Sequence, residues 1–343
     1  MTSLLDLPDE LLVSILEHVR AQDFAGALNV LIVNKRIYRI AHEIIRRHVH
    51  LNPNRPAPLS QFVRDISYVR SLTLTRFTNH KDPLKILLRT LPSATRLTSL
   101  SLVPWMEKRS TRRHTASAIA QIIQVMPSTL TNFEMDSAEF GGPWRGVHMC
   151  SHIGRLIPRL RVLRVNLDGI CAEFLHGLQG NATSQLRVAV TRFNEPQIPS
   201  ANMGCGTLEA SEFAVLVRQL LERGNFPSLE HFLIVDQSQP LAVLRGLNWS
   251  HHFRVRDVCT DKDSFHKYSD HGVFAPGERR YSIEGLGGET TTGSTDDLVK
   301  LTEGSASWIT LSNGSRIPPS NGEKERPILI ISGSGSATAC TTP

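Results

Sequence analysis

Residues 97–102 read Leu97-Thr98-Ser99-Leu100-Ser101-Leu102, an apolar-x-x-apolar-x-apolar pattern short enough to be one strand. The same template recurs on either side as Val69-x-x-Leu72-x-Leu74, Leu130-x-x-Phe133-x-Met135, Leu160-x-x-Leu163-x-Val165 and Leu229-x-x-Phe232-x-Ile234. The central positions 72, 100, 133 and 163 lie 28, 33 and 30 residues apart, and Pro92, Pro127, Pro158 and Pro227 stand just before four of the five copies. Helical patterns fill the gaps, for example Ile119, Ile122, Ile123 and Met126 at i, i+3, i+4, i+7. Weaker copies fall at Leu186-x-Val188-x-Val190 and near Phe253-x-Val255. A unit of this size cannot bury its apolar face alone, whereas stacked neighbours share a continuous core.

The pattern resembles irregular leucine-rich repeats, in which each unit adds a short strand and a helix to a curved stack. The copies lack the Asn or Cys that usually follows the strand, and an ordinary α/β domain with five similar strands is the competing reading. The resemblance implies an α/β chain whose residues 59–284 form a leucine-rich-repeat-like solenoid. Side chains flanking the buried strand positions then point to an inner face. These include Thr73, Thr75, Ser101, Glu134, Asp136, Arg164, Asn166, Leu233 and Val235. Their mixed chemistry suits a protein target better than one small ligand, and Thr73, Ser101, Glu134, Arg164 and Leu233 are the candidate target-binding residues.

Residues 1–51 form a compact, helix-patterned head. Leu7-Pro8-Asp9-Glu10 has the form of a helix start, because proline is tolerated in the first turn and the two acids complement the positive end of the dipole. Leu11, Leu12, Ile15, Leu16 and Val19 follow as one apolar stripe, and a second helical pattern covers Leu28 to Val49. So short a head has little interior, so part of its apolar surface is expected to meet another protein. Asn52-Pro53-Asn54-Arg55-Pro56-Ala57-Pro58 then marks a proline-rich linker over 52–58.

LPDELLVSIL followed by VNKRIYRIA resembles the F-box, over roughly residues 5–45. Asn34 stands where that family usually has cysteine, and Ile37 takes the usual aromatic position. The resemblance implies binding to a Skp-type adaptor and, through it, to a cullin scaffold. Leu7, Pro8, Leu11, Leu12, Ile15, Leu16 and Val33 are the adaptor-binding candidates.

The chain has 343 residues, 40% apolar and 20% charged, a composition that excludes a wholly disordered protein. No run is long enough for a transmembrane helix, and MTSLLDLPDE has acids where a secretory signal has lysines. Five dispersed cysteines without a CxxC pair point away from a disulfide framework and toward a reducing compartment, cytoplasmic or nuclear. The net charge of +6 is concentrated, since residues 61–120 hold 11 Lys/Arg against 3 Asp/Glu. Lys108-Arg109-Ser110-Thr111-Arg112-Arg113-His114 is the densest run, but no aromatic residues interleave with it to stack bases, which weighs against nucleic acid. Residues 285–343 are rich in Gly, Ser and Thr and are expected to be a flexible tail, interrupted by Ile328-Leu329-Ile330-Ile331.

No sequence motif supplies a nucleophile, a phosphate loop or a complete metal set. His148-Met149-Cys150-Ser151-His152 offers three ligands but no second cluster to complete a tetrahedron. Asp261, Asp263, His266, Asp270 and His271 lack the glycine and terminal acid of a calcium loop. The expectation is therefore a non-catalytic protein without cofactor or metal. Its role would be substrate recognition in a cullin–RING ubiquitin ligase; the alternatives are a scaffold with a degenerate F-box or a nucleic-acid-associated protein.

Overall fold

A computed structural model describes residues 6–22, 28–29, 34–52, 56–75, 81–103, 112–136, 147–167, 169–180, 182–193, 208–238, 250–275, 278–284, 290–294, 300, 302–311 and 313–319. The fold is mixed α/β with a mostly parallel sheet. In chain order its elements are α1 (Asp9–Gln22), α2 (Lys35–Arg46), β1 (His48–Leu51), α3 (Pro56–Asp65), β2 (Ser71–Thr75), α4 (Lys81–Thr90), β3 (Ser99–Val103), α5 (Arg112–Gln124) and β4 (Asn132–Asp136). They continue with α6 (Met149–Gly154), β5 (Val162–Leu167), a 3-10 helix (Ala172–Leu178), β6 (Val188–Phe193), α7 (Ala210–Glu222) and β7 (His231–Ser238). Last come β8 (Ser250–Asp257), β9 (Lys262–Ala275), β10 (Glu278–Glu284), β11 (Thr290–Ser294), β12 (Ile309–Thr310) and β13 (Arg316–Ile317).

Strands β1 to β7 lie side by side in chain order, each parallel to the one before. Leu72, Leu100, Phe133, Leu163, Ala189 and Phe232 form one buried row across six of them. That row faces the helices and belongs to a single core running from Leu51 to Val258. The first apolar position of each template copy closes a tight turn: the amides of Val69, Leu97, Leu130, Leu160 and Leu229 donate to the carbonyls three residues back, at 3.0–3.4 Å. At β6 the Ser184 hydroxyl takes this place, accepting from the Leu186 amide at 3.1 Å.

A second regularity links the units. The carbonyl just before each strand accepts two amides from the start of the next: Arg47 from Arg70 and Ser71, Arg70 from Thr98 and Ser99, Thr98 from Thr131 and Asn132. Thr131, Arg161 and Arg187 repeat the arrangement toward β5, β6 and β7. One register rule therefore governs all six parallel junctions.

Several boundaries differ from expectation. Residues 48–51, assigned to the head, form β1 and pair with β2, and Leu51 lies in the main core. The helical pattern over 28–49 is broken at Asn34, which is extended (φ −164°) and caps α2 by accepting from the Arg36 and Ile37 amides at 2.7 and 3.1 Å. Residues 53–55 of the linker lie outside the described residues, but Pro56 and Pro58 sit in the first turn of α3, where a missing N–H costs no helical bond. After β7 the sheet turns antiparallel, so the copy near Phe253 is not a parallel repeat, and the ribbon runs past residue 284 into β11.

The expected flexible tail also needs correction over 302–317. Ala306, Trp308 and Ser315 are buried there, and β13 lies against the inner face of the sheet. Thr302 accepts from Arg192 of β6, while Ser307 and Thr310 bond within the segment, to the Gly304 carbonyl and the Arg316 guanidinium. The Ile328–Ile331 run lies outside the described residues.

Candidate functional site

On the inner face the polar residues flanking the core row stand in register: Thr73 beside Ser101, Ser101 beside Glu134, Glu134 beside Arg164. All four are buried, Arg164 being 1% exposed and the others 0%, because the 302–317 segment lies across them. The Arg316 amide donates to Thr73 Oγ1 at 2.7 Å, and Ser71 Oγ donates back to the Arg316 carbonyl at 3.0 Å. The Arg316 guanidinium grips Glu134 through Nε and Nη2 at 2.6 and 2.7 Å. Arg164 makes the same two-pronged contact with Glu303 at 2.7 and 3.0 Å, and reaches Glu134 at 3.1 Å and Asp136 at 2.7 Å. Arg192 donates to Glu303 at 2.6 Å and to Thr302 at 3.2 Å.

Three guanidiniums (Arg164, Arg192, Arg316) thus meet three carboxylates (Glu134, Asp136, Glu303). Burial opposes the Arg164 charge, but Glu303, Asp136 and Glu134 outweigh it and hold its pKa well above the ordinary guanidinium value. Burial would likewise raise the Glu303 carboxyl, and Arg164 and Arg192 overcome this to hold it below the usual carboxylate range. The balanced set needs both halves of the chain, since either half alone would strand desolvated charge. Gly314 makes the approach possible: its φ of +79° favours glycine, and a Cβ there would fall 2.7 Å from His50 Nδ1.

The candidate target-binding residues are therefore brought together, but not as an open surface. Thr73, Glu134 and Arg164 bond to the chain's own 302–317 segment, and the buried Ser101 donates to Glu134. Leu233, half-buried, packs on a small cluster of Val188, Val190, Val235, Val255 and Ala306. Glu303, Arg316 and Arg192 escaped the sequence reading. Their only signal was charge inside segments whose partners lie more than a hundred residues away.

In the head, the predicted stripe splits. Leu12 and Leu16 are buried, Leu16 against Ile37, Ala41 and Ile44 of α2. Arg36 ties the two helices together by donating to Asp9 at 2.6 and 2.9 Å and to the Leu7 carbonyl at 2.8 Å. Pro8 is exposed, Leu7 is half-buried, and Val33 lies outside the described residues. Leu11 (52% exposed), Ile15 (39%), Leu28 (43%) and Tyr38 (47%) remain as large apolar side chains facing out. The head is also bound to the body, by the ion pair of Arg46 with Asp65 of α3 and by Arg20 donating to the His48 carbonyl of β1 at 3.3 Å.

A third cluster lies beyond the carboxyl ends of β4 and β5. His148 precedes α6, Cys150 is in its first turn, and Cys171 precedes the 172–178 helix. His148 Nε2 lies 3.0 Å from Cys171 Sγ. Hydrogen bonding with Cys150 outweighs burial and, helped by His148, brings the Cys171 thiol down to about 5. Sequence spacing could not pair Cys171 with His148; the stacking of adjacent units does.

Among the described residues no helix is long and apolar enough to cross a membrane. Comparison with family models, with curated proteins and with solved structures returns no match to this chain.

Proposed function

We propose that the chain is the substrate-recognition subunit of a cullin–RING ubiquitin ligase, with an F-box head for a Skp-type adaptor and a leucine-rich-repeat-like body for a protein target. The observation that carries the reading is the division of the α1 stripe. Leu12 and Leu16 hold α1 inward, while Leu11 and Ile15, one turn apart, are left outside with Leu28 and Tyr38. Exposed apolar residues of this size on so small a unit favour a protein partner. The repeat-like body is supported by the uniform junction rule and the strand order in chain sequence. A target engaging Thr73, Ser101, Glu134 or Arg164 must first displace residues 302–317. Transfer itself would follow from tethering, which raises the local concentration of target lysines near a separate enzyme.

Retention of a purified Skp-type adaptor by the full-length chain at micromolar concentration tests this. Burial of a Leu or Ile side chain is worth about 1.5–3 kcal/mol. Leu11→Ala with Ile15→Ala removes only part of two such side chains, about 2–4 kcal/mol in all, and is expected to weaken binding roughly thirty- to a thousand-fold, while Arg39→Ala leaves it unchanged. If the wild-type chain retains no adaptor, the head is a scaffold element and the ligase reading falls.

A further inference from the structure

His148, Cys150 and Cys171 place one imidazole nitrogen and two sulphurs within 4.8 Å of one another. We propose that these three side chains form a zinc site, with the fourth position left to water or a partner's side chain. Thiolates with one imidazole select a borderline-soft cation, while calcium and magnesium require oxygen ligands. Charge is satisfied as well: Zn2+ with two thiolates and a neutral imidazole is electrically neutral, which suits two sulphurs on buried residues. Both sulphurs bind as thiolates, and any proton they still carry passes to solvent.

The scaffold holds these donors firmly. The two short helices that carry them meet backbone to backbone. A Cβ on Gly154 would fall 2.6 Å from the Glu173 carbonyl oxygen, and one on Gly177 would fall 2.2 Å from that of Gly154. No side chain fits between the helices at these two points, so main-chain contact fixes the backbone from which the donors project. Around one zinc ion, nitrogen and sulphur ligands sit roughly 3.6 Å apart and two sulphurs roughly 3.8 Å. The 3.0 Å between His148 and Cys171 opens by about half an ångström on loading, a change that side-chain torsions absorb. His148 is only half-buried and offers the route of entry.

The test uses full-length protein, stripped with a chelator under reducing conditions. It is titrated with Zn2+ against a chromophoric chelator and with Co2+ as the optical probe. One Zn2+ per chain is expected, with thiolate-to-cobalt absorption. Cys150→Ser, Cys171→Ser and His148→Ala should each weaken binding by about a hundredfold or more, and Cys259→Ser should not. Wild-type protein gives a second readout free of folding defects: Zn2+ should slow alkylation of Cys150 and Cys171 but not of Cys259. No zinc retention, protection of other cysteines only, or a Cys150–Cys171 disulfide persisting under reductant would overturn the site.

Discussion

Arg316 and Glu134, 182 residues apart in sequence, share two hydrogen bonds of 2.6 and 2.7 Å on the inner face of the sheet. With Arg164–Glu303 they form two parallel guanidinium–carboxylate clasps in which every charge has an opposite. The energetics of such a set are asymmetric. Forming it gains little over an apolar contact, but removing one member leaves its partner desolvated and unpaired.

Glu303→Ala should therefore be far more damaging than a surface change. It strips Arg164 and Arg192 of a shared carboxylate whose side chain is fully buried. A loss of about 3–5 kcal/mol is expected, read as a lower urea midpoint with an unchanged slope. A midpoint equal to wild type would mean the segment is not held by this pair.

Gly314→Val should release the same segment by another route. A side chain at this left-handed position meets His50 as well as backbone strain. Protease should then cut within 302–317 at rates the wild-type chain resists, while β1–β7 remain folded.

Acid lability should have two stages. Burial first, then the charges of Arg20, Arg47 and Arg70, hold His48 down to about 3, well below its unfolded value of 6.5. The unfolded chain therefore binds this proton first, and stability present above pH 6.5 is lost as pH falls toward 3. Glu303, also depressed, adds a loss that begins only as pH falls through 4.5. His48→Gln should lessen the fall in melting temperature between pH 6.5 and 5, His42 and His152 (both also held below 6.5) supplying the remainder, and leave the lower stage intact.

Asn34→Ala tests the head. Its side chain satisfies two amides at the start of α2, so its removal should cost about 0.5–2 kcal/mol. Far-ultraviolet circular dichroism should show the loss as early melting of helix.

The parallel part of the sheet was legible in the sequence because each unit repeats a local cause. A tight turn, proline-containing in four of the copies, closes on the first apolar residue, and two inward residues follow at strand spacing. The reversal after β7 was less visible. Phe253-x-Val255 alternates like any other strand, and period-two alternation carries no direction. Direction is set by the connection: the residues between Ser238 and Ser250 are too few for a helical crossover. The clasp was invisible for a different reason. Glu303 and Arg316 sit in a segment whose Gly, Ser and Thr content favours disorder when judged locally, and their partners are 139 and 182 residues distant. Cys171 was hidden in the same way, since only the stacking of consecutive units brings it beside Cys150.

The clasp also imposes a timetable on biosynthesis. Strands β1 to β7 can assemble in the order they leave the ribosome, each on the edge of its predecessor. Arg164, however, must wait for Glu303, which at about 5–20 residues per second emerges on the order of ten seconds later. Throughout that interval the nascent sheet presents an unfinished, charged inner face. A pause, or a ribosome stalled before codon 303, would leave an intermediate with its helical side complete and its other side open to chaperones.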